Sequence, residues 1–155
     1  MRLYWPEVTQ LFGILAYIIK SHDKDGLDLY FPLTKKPFHE KHSKRLVSTV
    51  EKNMDEKHKG PSDISYILER VLGDYARRLH GTRGQNVPQL NVYVFTDGRW
   101  TTSCNVVPAI DNVVRAMVEH NLPEKQVGLQ FVSFGDDKDG LARLQLLDNC
   151  LGLPQ

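Results

Sequence analysis

The spacing of apolar residues along this chain changes period several times. Val8, Leu11, Phe12, Leu15, Ile18 and Ile19 recur at helical spacing, and Pro6 stands where a first helical turn tolerates it. The turn cluster Asp23-Lys24-Asp25-Gly26 predicts the end of that helix. Leu27 to Phe31 then alternates like a strand, limited by Pro32, and Thr34 to His42 reads as a loop with Pro37 inside, with room for a short edge strand. Leu46, Val47, Val50 and Met54 predict a second helix from about Ser43, broken by Lys57-His58-Lys59-Gly60-Pro61. A third helix follows, with Ile64, Ile67, Leu68, Val71, Leu72, Tyr75 and Leu79 on one face and Ser62 or Asp63 as its cap. The polar, Gly-containing stretch His80 to Pro88 leads to a strand at Leu90–Thr96. Val106, Ile110, Val113, Val114 and Met117 mark a helix ended by Leu122-Pro123. Val127 to Gly135 reads as a strand buried on both faces, and Leu141, Leu144, Leu147 and Leu151 as a last helix.

Strands alternating with helices imply an α/β layered fold with a parallel sheet. At 155 residues the chain fits one domain, 1–155, with a substantial core. Two features are odd for such a fold. Three good strands are few for so many helices, and the first helix has no strand before it. The sequence DKDGL occurs at Asp23 to Leu27 and at Asp137 to Leu141, and both copies read as turns. Leu27 and Leu29 stand where a calcium loop would need oxygen ligands.

Charge changes this picture little. There are 20 Lys+Arg against 19 Asp+Glu, so nothing in the balance favours nucleic acid or an anionic membrane. The local basic run from Lys35-Lys36 through Lys41 to Arg45 is interleaved with His39, Glu40 and His42 and reads as a solvated loop. No apolar run reaches membrane length. Cys104 and Cys150 form no CxxC pair, so the expectation is free thiols in a reducing, cytoplasmic setting.

Familiar chemistry is missing. There is no G-x-S-x-G elbow, and GTRGQN at Gly81 to Asn86 lacks the lysine of a phosphate loop. His39 and His42 lie close in sequence, with no third ligand spaced to complete a metal set. The suggestive stretch is LNVYVFTDGRW, Leu90 to Trp100, where a strand stops on Asp97-Gly98. Turn chemistry explains such an ending, and so does a ligand site, because ligands in open α/β sheets sit at the carboxyl ends of strands.

Four segments, in order, resemble the von Willebrand factor type A domain. RLYWPEVTQLFGILAYIIKSHDKDGLDLYF is similar to that family's first helix and following strand, and GPSDISYILERVLGDYARRL to its G-x-T segment and long helix. LNVYVFTDGRW is similar to the strand ending in T-D-G, and VGLQFVSFGDDKDGLARLQLLDN to the next strand and the C-terminal helix. The resemblance, of an intracellular type, implies a Rossmann-like open, mostly parallel sheet with helices on both faces. Leu27–Phe31, Leu90–Thr96 and Val127–Gly135 would then be mutually parallel. It also implies a protein-interaction module with a metal-ion-dependent adhesion site. Asp97 matches the T-D-G aspartate and Ser62 the family's threonine, and both would lie near Gly135 and Asp136.

The sequence departs from the family at the front. No D-x-S-x-S motif is present, and Met1 stands where that motif ends. The expectation is therefore a domain whose first central strand is missing, with an unpaired strand edge open to oligomerisation. Mg²⁺ would then bind only if the motif were restored, since two oxygen ligands are too few for an ion that dehydrates reluctantly. The expected function is a non-enzymatic protein-interaction module with a protein partner. The alternatives are a metal-assisted hydrolase using Asp97, Asp136 and Asp137, which would need convergent carboxylates and a base, and a truncated product without independent function.

Overall fold

The computed structural model describes residues 2–22, 25–32, 34, 36–53 and 60–150, with the side chains of residues 2, 21, 22, 149 and 150 excepted. The chain divides into two compact units, Met1–Gly60 and Pro61–Gln155.

In the first unit a 3-10 turn, Arg2–Tyr4, runs into α1 (Trp5–His22). β1 (Leu27–Leu29), β2 (Phe38–Glu40) and α2 (Ser43–Lys52) follow. The helical spacing at the N-terminus forms the expected helix, and its buried stripe is Val8, Phe12 and Ala16. Leu11, Leu15 and Ile19 are half-buried, whereas Ile18 faces out. Leu46 and Val50 supply the buried face of α2. A Cβ on Gly13 would make only ordinary contact with Val47, at 3.6 Å. Met54 and the expected break at Lys57-His58-Lys59 lie outside the described residues.

Within Thr34 to His42, read as a loop with room for a short edge strand, the structure forms β2, and it changes the role of Leu27–Phe31. β1 stops at Leu29 and pairs antiparallel with β2, so it is not the parallel strand that the family resemblance implied. The reason is local. A neighbour a few residues downstream closes a short loop at small entropic cost. The cross-strand pair Asp28–His39 joins directly, Oδ1 to Nδ1 at 2.8 Å, and Phe31 meets Phe38 edge to face.

The second unit contains α3 (Ser65–Thr82), β3 (Leu90–Thr96), α4 (Val107–Glu119), a 3-10 turn at Glu124–Gln126, β4 (Val127–Ser133) and α5 (Lys138–Cys150). β3 and β4 are parallel along their whole length, from Leu90 opposite Val127 to Thr96 opposite Ser133. This is the strand–helix–strand unit expected from the change of period. One strand face, with Val92, Val94, Leu129 and Phe131, packs into a core with Leu68, Leu72 and Leu79 of α3. The same core takes Ile110, Val113 and Ala116 of α4 and Leu147 of α5. The other face carries Asn91, Tyr93 and Gln130 in exposed positions. Burial of Val127–Gly135 on both faces is therefore corrected. The core of this unit packs against one face of the pair, and positions on the other face remain exposed. Leu141 is exposed, and Leu151 lies outside the described residues.

A buried polar network fixes where β3 and β4 begin. The Tyr75 hydroxyl donates to the Pro88 carbonyl at 2.6 Å and accepts from Gln126 Nε2 at 2.6 Å. The same amide donates to the Val87 carbonyl at 3.0 Å. Gln126 is 8% exposed, and these bonds satisfy a side chain that burial would otherwise penalise.

Candidate functional site

The parallel pair delivers its carboxyl ends to one edge, and the T-D-G turn is built there. Thr96 is buried, and its Oγ1 accepts from the Gly98 N–H at 3.0 Å and from Trp100 Nε1 at 2.9 Å. Asp97 is half-buried, and its Oδ1 accepts from the Arg99 N–H at 3.2 Å. Gly98 has φ +72°, and an added Cβ would stand 2.5 Å from the Gly140 Cα in the first turn of α5. The glycine is required by backbone meeting backbone in a left-handed conformation. Turn chemistry thus accounts for Thr96 and Gly98, while Asp97 and Arg99 remain at least partly open at the surface.

Three further segments brace the turn. Trp100 packs against Phe131 with ring centroids 5.9 Å apart. Arg143 of α5 lies over the Trp100 ring at 5.7 Å. Its Nη1 donates to the carbonyls of Trp100 at 3.2 Å and Gly98 at 3.4 Å. Ser62 forms a parallel bridge opposite Trp100, donating its N–H to Arg99 O at 3.3 Å and accepting from Thr101 N at 3.1 Å. Ser62 and Asp97 therefore both bond to the backbone of Arg99, which puts the two expected site residues at the same edge.

The N-cap of α3 is Ile64, not Ser62 or Asp63 as expected, and it makes no side-chain cap bond; Asp63 stands one residue earlier, its Oδ1 accepting from the Ser65 N–H at 2.8 Å in a turn. The Ser65 hydroxyl accepts from Asn105 N at 2.8 Å and lies 3.4 Å from Cys104 Sγ. The Ser65 backbone N–H, then its hydroxyl, hold the Asp63 carboxyl below its ordinary value. Partial burial, then the nearby Asp63 charge, pushes the Tyr66 hydroxyl above its ordinary value.

At the end of β4, Phe134 donates its N–H to Thr96 O at 2.9 Å and stacks on Phe95 at 6.0 Å. Gly135 is left-handed at φ +88°, and Asp136 is exposed. Asp137 caps α5, its Oδ1 accepting from Gly140 N at 2.9 Å, while its Oδ2 lies 3.9 Å from Arg99 Nε. Asp97, Asp136 and Asp137 do not bring carboxylate oxygens together as three ligands of one ion. Among the described residues only His80, Glu119 and His120 do so, with ligand atoms all within 4.8 Å of one another. The two histidines are forty positions apart in sequence, and nothing in their local spacing signals the meeting.

The strand-end edge can hold a rigid turn and present mixed charge, with Asp97, Arg99, Asp136 and Asp137 on adjacent loops. Compared with protein-family models, curated proteins and solved structures, the chain matches none. Among the described residues no helix is long and apolar enough to cross a membrane.

Proposed function

We propose that this chain is a protein-interaction module of the von Willebrand factor A type with an incomplete metal-ion-dependent adhesion site. Its contact surface is the edge where β3 and β4 end, and it acts by binding a protein partner, without catalysis. The observation that carries this reading is the T-D-G turn at the carboxyl end of a parallel strand. The turn is braced from β4, α5 and the Ser62 segment, with Arg99 exposed beside two carboxylates. A rigid, partly charged edge suits recognition of a polar partner surface, because little ordering entropy is lost on docking. Asp97 and Ser62 are the oxygen donors that match the family pattern. Alone they are too few to dehydrate Mg²⁺.

A photo-crosslinking amino acid placed at Arg99, compared with one at Arg115 on the exposed side of α4, tests the reading. A discrete protein adduct is expected from position 99, diminished by Asp97→Ala and absent from position 115. Equal adducts from both positions, or none from 99 in the native cell lysate, would overturn it.

A further inference from the structure

We propose that His80, Glu119 and His120 form a zinc-binding site where α3 and α4 end. Three independent features of the second unit converge on it. The first is donor geometry. His80 Nδ1 lies 3.2 Å from His120 Nε2 and 3.7 Å from Glu119 Oε2. Ligands on a tetrahedral Zn²⁺ at ordinary Zn–N and Zn–O lengths sit about 3.4 Å apart. Two edges of the required triangle are thus nearly in place. The rings meet at 65°, with centroids 5.3 Å apart, so their lone pairs are not held parallel.

The second feature is rigidity. α3 and α4 pack along their length through buried Leu72, Leu79, Val113 and Ala116. Their exits are also locked. Gly84 is left-handed at φ +74°, its N–H bonds to Leu79 O at 2.7 Å, and a Cβ there would press on His120 Cβ at 3.0 Å. His120 N bonds to Ala116 O at 3.3 Å. The ligands therefore stand on fixed helix ends, with little loop to order when an ion arrives.

The third feature is the field. Both helices point their carboxyl ends at this spot, where the helix dipole favours a cation. Two neutral imidazoles and one carboxylate leave a Zn²⁺ complex with a single net positive charge, which those dipoles offset. Imidazole donors select the zinc and copper group over Mg²⁺ and Ca²⁺, and near-tetrahedral edges favour zinc within it. In the ion-free protein the His80–His120 hydrogen bond places a proton between the two ligand nitrogens. Binding moves it, so that His120 carries its N–H at Nδ1 and His80 at Nε2. The fourth position faces solvent and takes water. The three residues stand at the amino-terminal approach to β3 and β4, away from the T-D-G edge, so this site does not depend on the proposed adhesion surface.

Titration of the full chain with ZnCl₂ in a non-chelating buffer tests the proposal. One-to-one binding with Kd at or below roughly 100 µM is expected. His80→Ala and His120→Ala should each weaken it about tenfold or more, since even outer partners of a zinc ligand cost that much. Glu119→Gln, which keeps shape and removes charge, should weaken it as well, and His39→Ala should leave it unchanged. Circular dichroism checks that each variant is folded. Co²⁺ in place of zinc should give the intense visible bands of a four-coordinate ion. Zinc binding that survives His80→Ala and His120→Ala, or the absence of one-to-one binding in the folded wild-type chain, would overturn the assignment.

Discussion

The substitution Gly→Ala should have opposite signs at two glycines of the second unit, and the structure gives both magnitudes. At Gly98 the backbone is left-handed, which costs an alanine about 1–2 kcal/mol. The new Cβ would also lie 2.5 Å from Gly140 Cα and 2.6 Å from Gly140 O. These are backbone atoms of α5 and cannot swing aside as a flexible side chain could. Relief requires moving α5 or opening the T-D-G turn, an overpacking cost of about 1–3 kcal/mol. The sum, about 2–5 kcal/mol, corresponds to a fall in Tm of at least about 8 °C for a unit of this size. At Gly73, inside α3, an added Cβ meets nothing within 4 Å. Alanine there should gain about 0.5–1 kcal/mol of helix propensity and raise Tm by a few degrees. The assay is thermal unfolding followed by Trp100 fluorescence in a Trp5→Phe background, so that the signal belongs to Pro61–Gln155. A Gly98→Ala variant melting with the parent would refute the close approach of the turn to α5.

Other substitutions probe the bracing groups. Thr96→Val leaves the Trp100 indole N–H and the Gly98 N–H without their shared acceptor. It should cost about 1–3 kcal/mol in a denaturant melt. Gln126→Leu removes the amide that joins the Tyr75 hydroxyl to Val87 O, and should cost a similar amount, about 1–3 kcal/mol, in the same assay. Asp63 has its carboxyl lowered by the bonds from Ser65, so its contribution to stability is present above the ordinary carboxylate value and is lost as pH falls through the lowered one. Asp63→Asn should therefore melt below the wild type at neutral pH and converge with it under strongly acid conditions. Equal Tm differences at both pH values would contradict that assignment.

Much of the second unit was legible in the sequence because its period is strong. Val92 and Val94 alternate with exposed neighbours, and Leu68, Leu72 and Leu79 keep one helical face, so β3, α3, α4 and β4 stand where the spacing placed them. The pairing of Leu27–Leu29 was not legible. A three-residue strand carries too little pattern to name its partner, and Asp28 opposite His39 is a contact that only the fold reveals. Burial of β4 was overestimated because its run of apolar residues does not say whether a layer packs over each face, and here the core packs over one. At the site, Gly98 after Asp97 signalled a turn, which the structure contains. The opposing Gly140 gave no signal, since close approach of two backbones leaves only an unremarkable glycine in each segment. Ser62 reached the edge through its main chain, which side-chain reasoning does not see. His80 and His120 meet because two helices end side by side, a consequence of packing rather than of spacing.

The β3–β4 edge is proposed as an adhesion surface whose two oxygen donors, Asp97 and Ser62, are too few to hold Mg²⁺. Calorimetric titration of Mg²⁺ into three proteins tests this proposal most directly: the 155-residue chain, the chain extended at Met1 by a strand carrying D-x-S-x-S, and the extended chain with Asp97→Ala. The expected result is no measurable heat of binding for the first, one-to-one binding for the second, and loss of that binding in the third. Tight Mg²⁺ binding by the 155-residue chain, or binding by the extended chain that survives Asp97→Ala, would contradict it.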